Sequence, residues 1–390
     1  MTTSNSTGSR PLKGLGIYIH IPFCVKKCNY CDFVSFPGCS SQVMDEYIDA
    51  LCADIRLKGA AYKETHCVDT IFIGGGTPTM LSAEQMQKVL TAIGDGFRLN
   101  ETMEISMESN PGTFDKDRLR SYMEMGINRL SIGVQSLDDG ILKSLGRIHD
   151  SKTALDAIRA AKSLGINLNV DLMLGIPGQT MEIWDDTLKK IIAEDPQHIS
   201  FYSLQLEMHT PFYEDYRVGK LDLPTWEENR VMYHRALEIL KDAGYKHYEV
   251  SNACKPGYEC RHNIKYWTMQ DYIGAGIAAH SFVNGARSFT TSNLKEYIAS
   301  GGNADKLTET ESLEDWDLKT DFIFTELRLI DGFSLADYKE MFGCEYEDDF
   351  GKVTAELESE GYMEKTEKGW KLTLSGLDNT NNVMERLMNE

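Results

Sequence analysis

The sequence predicts an α/β fold: a TIM-like partial (β/α)6 barrel, left open, followed by an acidic, mainly helical domain resembling a winged helix. Six short β-branched or apolar runs recur between residues 15 and 206: LGIYIHI, VDTIFIG, TMEISME, NRLSIGV, INLNVDLM and HISFYSL. Amphipathic stretches at 45–58, 83–93, 115–125, 151–164 and 181–192 lie between them, each with apolar residues at three-to-four spacing. Alternation of this kind implies a parallel sheet. A closed eight-unit barrel needs about 250 residues, so units confined to 15–206 leave the barrel open.

The rest of the chain reads differently. Residues 1–14 form a polar segment expected to be a disordered tail, and 15–206 hold the partial barrel. Residues 207–300 extend it: a helix is expected over 225–243, then an aromatic, turn-rich stretch through Asn293 without a readable period. Over 301–390, helical periodicity at 315–329, 334–341 and 348–361 precedes two strand-like runs, YMEKTEKG and WKLTLSG. This last segment holds 9 basic and 23 acidic residues, a balance of −14 within the −20 of the whole chain. A DNA-reading wing is basic, so the expected role is packing or docking of a partner.

Composition narrows the class further. At 390 residues, 42% hydrophobic and 26% charged, the chain has ample material for a globular core. Its 60 acidic against 40 basic residues oppose nucleic acid as a partner and allow at most peripheral membrane association. The amino terminus lacks the apolar stretch of a secretion signal, and no apolar run reaches the roughly 18 residues of a membrane span, so a cytoplasmic location is expected.

The strongest chemical signal is HIPFCVKKCNYCDF, where Cys24, Cys28 and Cys31 follow the first strand with spacing C-x3-C-x2-C. One short loop can wrap three thiolates around a metal, and thiolates suit iron–sulfur clusters and zinc. A [4Fe-4S] cluster held this way keeps one iron open for a small molecule. The alternative is a zinc knuckle completed by Cys39 or a distant histidine. The loop's place at the carboxyl end of a barrel strand, where barrel enzymes carry reactive groups, favours the cluster. Cys39, Cys52, Cys67, Cys254 and Cys344 read as buried small hydrophobes.

Beyond the loop, IYIHIPFC, GGGTP at 74–78, ESNPGT at 108–113, GVQS at 133–136, LGRIHD at 145–150 and DLMLGIPGQT at 171–180 follow one another. In this order they resemble the oxygen-independent coproporphyrinogen III oxidase branch of the radical S-adenosylmethionine (SAM) superfamily. The resemblance implies a [4Fe-4S] cluster on Cys24, Cys28 and Cys31, with SAM on the open iron, where one electron cleaves it to methionine and a 5'-deoxyadenosyl radical. It also implies Tyr18 and Tyr30 beside SAM, the backbone of Gly75, Gly76 and Thr77 around its methionine part, and Glu108, Gln135, Arg147 and Asp171 as polar contacts. Those residue types suit such roles, since glycine admits close backbone approach and arginine pairs a carboxylate in bidentate fashion. Taken singly, each strand-end Asp, Glu or Gln also reads as a cap or turn partner.

Within this branch two functions compete. The oxidase, which decarboxylates propionates to vinyls, carries a further cysteine two residues after the third; here that position is Phe33, and its long amino-terminal extension is reduced to a short tail. RHNIKYW at 261–267 resembles the H-N-x-x-Y-W heme-binding motif of the branch's heme chaperones, which bind heme and deliver it to apo-hemoproteins. His262 is then the candidate heme ligand, with Tyr266 and Trp267 as flat surface for a porphyrin. A single histidine beside aromatics also reads as a hydrogen-bonded structural residue. Cys260 and His280 stand behind it as further candidates. The expected function is heme chaperoning with a cluster, SAM and heme, served by an apo-hemoprotein acceptor and a reductant protein; a tetrapyrrole-acting radical SAM enzyme and a zinc-stabilised interaction protein are the alternatives.

Overall fold

The structure, a computed structural model, describes residues 12–389. Most of the polar tail, residues 1–11, thus lies outside the described residues, while Lys13 and Gly14 already pair with His66 and Cys67 in the sheet. Strands β1 (Lys13–Ile21), β2 (His66–Gly75), β3 (Leu99–Ser109), β4 (Arg129–Gln135), β5 (Asn167–Leu174) and β6 (His198–Ser203) run parallel, each hydrogen-bonded to the next. These are the six runs expected from sequence.

The connecting helices are α1 (Ser41–Tyr62), α2 (Ala83–Gly96), α3 (Lys116–Glu124), the short α4 (Asp139–Ser144), α5 (Ser151–Leu164) and α6 (Met181–Glu194). Each begins at a Ser, Thr or Asp whose side chain accepts a first-turn amide: Ser40, Ser82, Asp115, Asp138, Asp150 and Thr180. Apolar periodicity alone places the start of α1 at Asp45; the Ser40 cap moves it to Ser41. Helix α4 is too short to show a period and escapes sequence reading.

The barrel does not close. Past β6 come helices α7 (Pro211–Arg217) and α8 (Trp226–Asp242), then strands β7 (Lys246–Glu249) and β8 (Asn252–Cys254), with β8 antiparallel to β6. The stretch without a readable period folds as helix α9 (Arg261–Trp267) and strands β9 (Tyr272–Ala275), β10 (His280–Val283) and β11 (Ala286–Thr290). Strand β9 runs parallel to β1, and β10, β11 and β12 (Thr308–Ser312) continue antiparallel. Among the described residues one sheet of 12 strands results, with β12 and β7 at its edges. It continues past residue 301, beyond the point where the sequence suggested a new domain.

After α10 (Leu294–Ala299), the terminal unit packs α11 (Asp315–Glu326), α12 (Leu335–Phe342) and α13 (Tyr346–Ser359) around its own core, including Phe322, Tyr338, Phe350 and Leu357. Strands β13 (Phe333–Ser334), β14 (Met363–Lys365) and β15 (Gly369–Leu372) form an antiparallel wing, followed by α14 (Leu374–Asp378) and α15 (Thr380–Met388). The unit is fastened to the barrel. Asp378 takes Arg230 at 3.5 Å and His234 at 3.0 Å from α8, and the Arg328 guanidinium lies 4.4 Å over the Trp267 ring. No helix of the described residues is long and apolar enough to cross a membrane.

Candidate functional site

The site gathers at the carboxyl ends of β1 to β5. Immediately after β1, Phe23–Cys24 pairs with Phe36–Pro37, closing the intervening residues into one loop that carries Cys24, Cys28 and Cys31. All three thiols are free and half-buried. The loop is held from several sides. Asn29 donates its backbone N–H to Leu145 O at 2.9 Å and its side-chain amide to Ser144 O at 2.8 Å, while its own carbonyl receives Phe212 N at 3.0 Å. Tyr30, half-buried, packs beside Ile141, Leu145, Met173 and Phe212.

As the loop stands, no three His, Cys, Asp or Glu side chains among the described residues form a ready metal cage. The donor set nevertheless fits a thiolate-held group. Burial pushes the Cys31 thiol up to about 11, and the neighbouring Cys28 and Cys24 add to that rise against a backbone hydrogen bond at Phe33. Three thiolates so placed repel one another, and a cationic metal relieves that repulsion. Cys28 Sγ already receives Arg147 Nη1 at 3.5 Å, and Cys24 Sγ lies 3.6 Å from Thr77 Oγ1.

The glycine segment after β2 lies directly against the entry to this loop. Gly76 N donates to Ile21 O at 2.9 Å and Thr77 N to Phe23 O at 2.8 Å. A Cβ on Gly76 would come within 2.7 Å of Phe23 O, and Gly75 adopts φ 108°, so glycine is required by both contact and conformation. Both amides are thus committed to the end of β1, which leaves the Gly76 and Thr77 carbonyls as the backbone groups able to meet a ligand. The Gly75 amide donates to Glu108 Oε2 at 3.0 Å.

A polar chain joins the loops. Thr77 Oγ1 accepts from Asn110 Nδ2 at 2.8 Å, and Asn110 Oδ1 and Gly133 O both receive Arg147 Nη2. The buried Arg147 Nε has no protein partner among the described residues. Deeper in, Asp171 accepts from Ser131 Oγ and Asn169 Nδ2, each at 2.7 Å. Burial raises the Asp171 carboxyl against these bonds. Burial first, and the charge of Asp171 second, push Glu108 up to about 8 against the Gly75 hydrogen bond. Gln135, left-handed at φ 68°, accepts from Tyr202 Oη at 3.1 Å, and Tyr18 meets His20 Nδ1 through its hydroxyl at 3.0 Å. Two half-buried carboxyls, a guanidinium with a free donor and an amide are thus gathered at these strand ends, able to hold an ammonium, a carboxylate and hydroxyls.

The sequence-derived residues of this group are therefore brought together, and several partners were missed. Asn110 sits inside the quoted ESNPGT turn, and Ser131 and Asn169 lie two residues before Gly133 and Asp171, so inward alternation on β4 and β5 was the available signal.

His262 lies inside the fold. It is fully buried on α9, with Nδ1 2.9 Å from Thr70 Oγ1 and Nε2 2.8 Å from Tyr266 Oη. Its ring stacks on Phe72 at 5.4 Å, and burial, with the Lys265 charge next, lowers it to about 3. Both ring nitrogens are engaged in this conformation, so a role at heme iron would require the ring to exchange Thr70 or Tyr266 for the metal. Cys260 is equally closed: burial pushes its thiol up to about 12, and it lies against Glu104. His280, by contrast, is exposed on β10.

Residues 18–191 match the Radical SAM superfamily and residues 313–378 the HemN C-terminal domain. In architecture the chain is similar to the coproporphyrinogen III oxidase HemN of Escherichia coli, with a TM-score of 0.83 and 24% identity, covering 97% of this chain and 91% of that one. Fold and sequence together define a radical SAM protein with a HemN-type carboxy-terminal domain. Among its relatives, Heme chaperone HemW of Lactococcus lactis is 33% identical over 372 residues, covering 95% of this chain and 96% of that one. The HemW proteins of Bacillus subtilis and Escherichia coli are 34% and 35% identical, covering 92% and 97% of this chain and 95% and 99% of theirs. The chain belongs to the HemW family.

Proposed function

We propose that this protein binds heme and delivers it to apo-hemoproteins in the cytoplasm, carrying a [4Fe-4S] cluster and SAM. The carrying observation is the cysteine loop: three half-buried free thiols after β1, with the exposed Phe33 at 64% where the oxidase pattern has a further cysteine. Cys24, Cys28 and Cys31 would hold the cluster, which supplies one-electron chemistry to SAM when bound. Tyr18 and Tyr30 flank the SAM pocket, Gly75, Gly76 and Thr77 shape its rim, and Arg147, Asp171, Glu108 and Gln135 provide its polar contacts. Relatives named heme chaperones support the cargo. A reductant protein feeds the cluster, and the acidic terminal unit favours acceptors with basic surfaces.

The test is an anaerobic preparation, reconstituted with iron and sulfide, titrated separately with heme and with coproporphyrinogen III in the presence of SAM and a reductant. Stoichiometric heme uptake without conversion of coproporphyrinogen is expected. Formation of protoporphyrinogen makes the protein an oxidase and overturns the proposal.

A further inference from the structure

The helix that carries His262 is anchored from outside itself. Helix α9 starts after Cys260, whose side chain makes no capping bond, so its first amides need acceptors from elsewhere in the fold. The sheet supplies them. Cys260 N donates to Tyr248 Oη on β7 at 3.2 Å, Arg261 N to Glu104 Oε2 on β3 at 3.2 Å, and His262 N to Glu104 Oε1 at 3.2 Å. Arg261 adds a further tie to β3, with Nη1 donating to Thr102 O at 2.8 Å.

Glu104 is itself held for this task. It is 7% exposed, and its Oε1 also receives Ser106 Oγ at 3.3 Å and Cys260 Sγ at 3.7 Å. Burial disfavours the charge of Arg129 on β4, and negative neighbours, Glu104 among them, more than restore it, so a buried cation stands close to this carboxylate. Each carboxylate oxygen takes a different amide of α9, which fixes the helix start at two points. Among the described residues, the hydrogen bonds of Glu104 go to β3 or to the start of α9 alone. The ring of His262 is held by other groups: Thr70 and Tyr266 take its nitrogens, and a Cβ on Gly16 would come within 3.2 Å of its Cε1. Main chain and ring thus have separate anchors.

We propose that Glu104 is a positioning residue for the heme motif: its carboxylate pins the start of α9 from β3, so that the His262 ring can leave Thr70 or Tyr266 for heme iron while the helix stays in place. The proposal rests on the heme-chaperone reading above, with His262 as the ligand. Bonds between a carboxylate and backbone amides are charge-assisted, and a ligand whose main chain is fixed loses less freedom on binding metal. Glu104 acts through His262 and has no contact with heme in this role.

The full-length protein, reconstituted anaerobically, is titrated with hemin while the Soret and visible bands are followed, and compared with Glu104→Gln, Glu104→Ala and Glu101→Gln, a change at an exposed position of the same strand. Glutamine keeps the shape but offers one acceptor oxygen to two amides. Glu104→Gln is therefore expected to weaken hemin binding about fivefold and shift the visible bands, Glu104→Ala to weaken it at least about tenfold, and Glu101→Gln to leave it unaltered. Iron and sulfide per chain and SAM affinity should hold at the wild-type level throughout. A purely structural role would lower the thermal midpoint and leave the hemin affinity and bands of the folded protein as they are. In a His262→Ala background, Glu104→Gln should cost no further affinity, because the two act as a unit. Unchanged affinity and bands in Glu104→Gln, or an undiminished loss in the His262→Ala background, overturn this assignment and leave the chaperone reading standing. A wild type that takes up no hemin overturns both.

Discussion

Arg147 reaches across from the connection between α4 and α5 to donate to Cys28 Sγ at 3.5 Å, while its second terminal nitrogen serves Asn110 and Gly133. One guanidinium thereby ties the cysteine loop to the ends of β3 and β4. It also brings positive charge to a set of thiols that must ionise to bind metal.

Arg147→Ala should therefore lower both cluster retention and SAM binding. Hydrogen bonds to charged groups contribute about 1.5–3 kcal/mol, so an affinity loss of roughly tenfold or more is expected. Iron per chain after reconstitution and SAM titration by calorimetry measure it, and Arg147→Lys, which lacks the fork, should restore charge but only part of the affinity.

Serine at Cys24, Cys28 or Cys31 should each abolish the brown absorbance of the reconstituted cluster and the associated iron and sulfide. Cys260→Ser should retain both, because Cys260 is fully buried beside Glu104, away from the cysteine loop. Loss of the cluster in Cys260→Ser would show that the ligand set is misassigned.

Glu108 sets a pH dependence. Its carboxyl rises from 4.5 to about 8 in the folded protein, so between these values the native state holds a proton that the unfolded chain releases. Stability then falls as pH rises through this window, at up to roughly 1.4 kcal/mol per pH unit, and levels off above the folded value. Glu326, raised to about 8 by burial, acts in the same direction, so the readout is the difference between wild type and Glu108→Gln. Urea unfolding at pH 6.0 and 8.5 should show the variant losing less stability than the wild type.

His262→Ala should act as a core mutation. Removal of the buried ring leaves Thr70 and Tyr266 without their partner and opens a cavity against Phe72, at a cost of about 2–5 kcal/mol. A lowered thermal midpoint measures it. Because the ring's contacts lie on β2 and α9 and not on the cysteine loop, iron content in the folded fraction should stay at wild-type level.

Much of the fold was legible because its signals are local. Apolar runs of strand length alternate with capped amphipathic helices, and residues such as Ser82 and Gln85, which form a capping box, specify a helix start within one turn. The stretch from Lys255 to Asn293 was opaque for the opposite reason: β9 takes its place from β1, whose partner residues Gly16 to Ile19 lie far away in sequence. Its short strands have no period of their own long enough to read.

The sequence alone determined the open βα series, the acidic winged unit and the three thiols on one loop, since period, caps and motif spacing are properties of neighbouring residues. What holds each histidine was decided only by the tertiary structure. Thr70, 192 residues away, engages one nitrogen of His262 and Tyr266 the other, whereas β10 leaves His280 at the surface. A ring nitrogen is engaged or free according to what the fold brings against it, and local sequence carries no record of that contact.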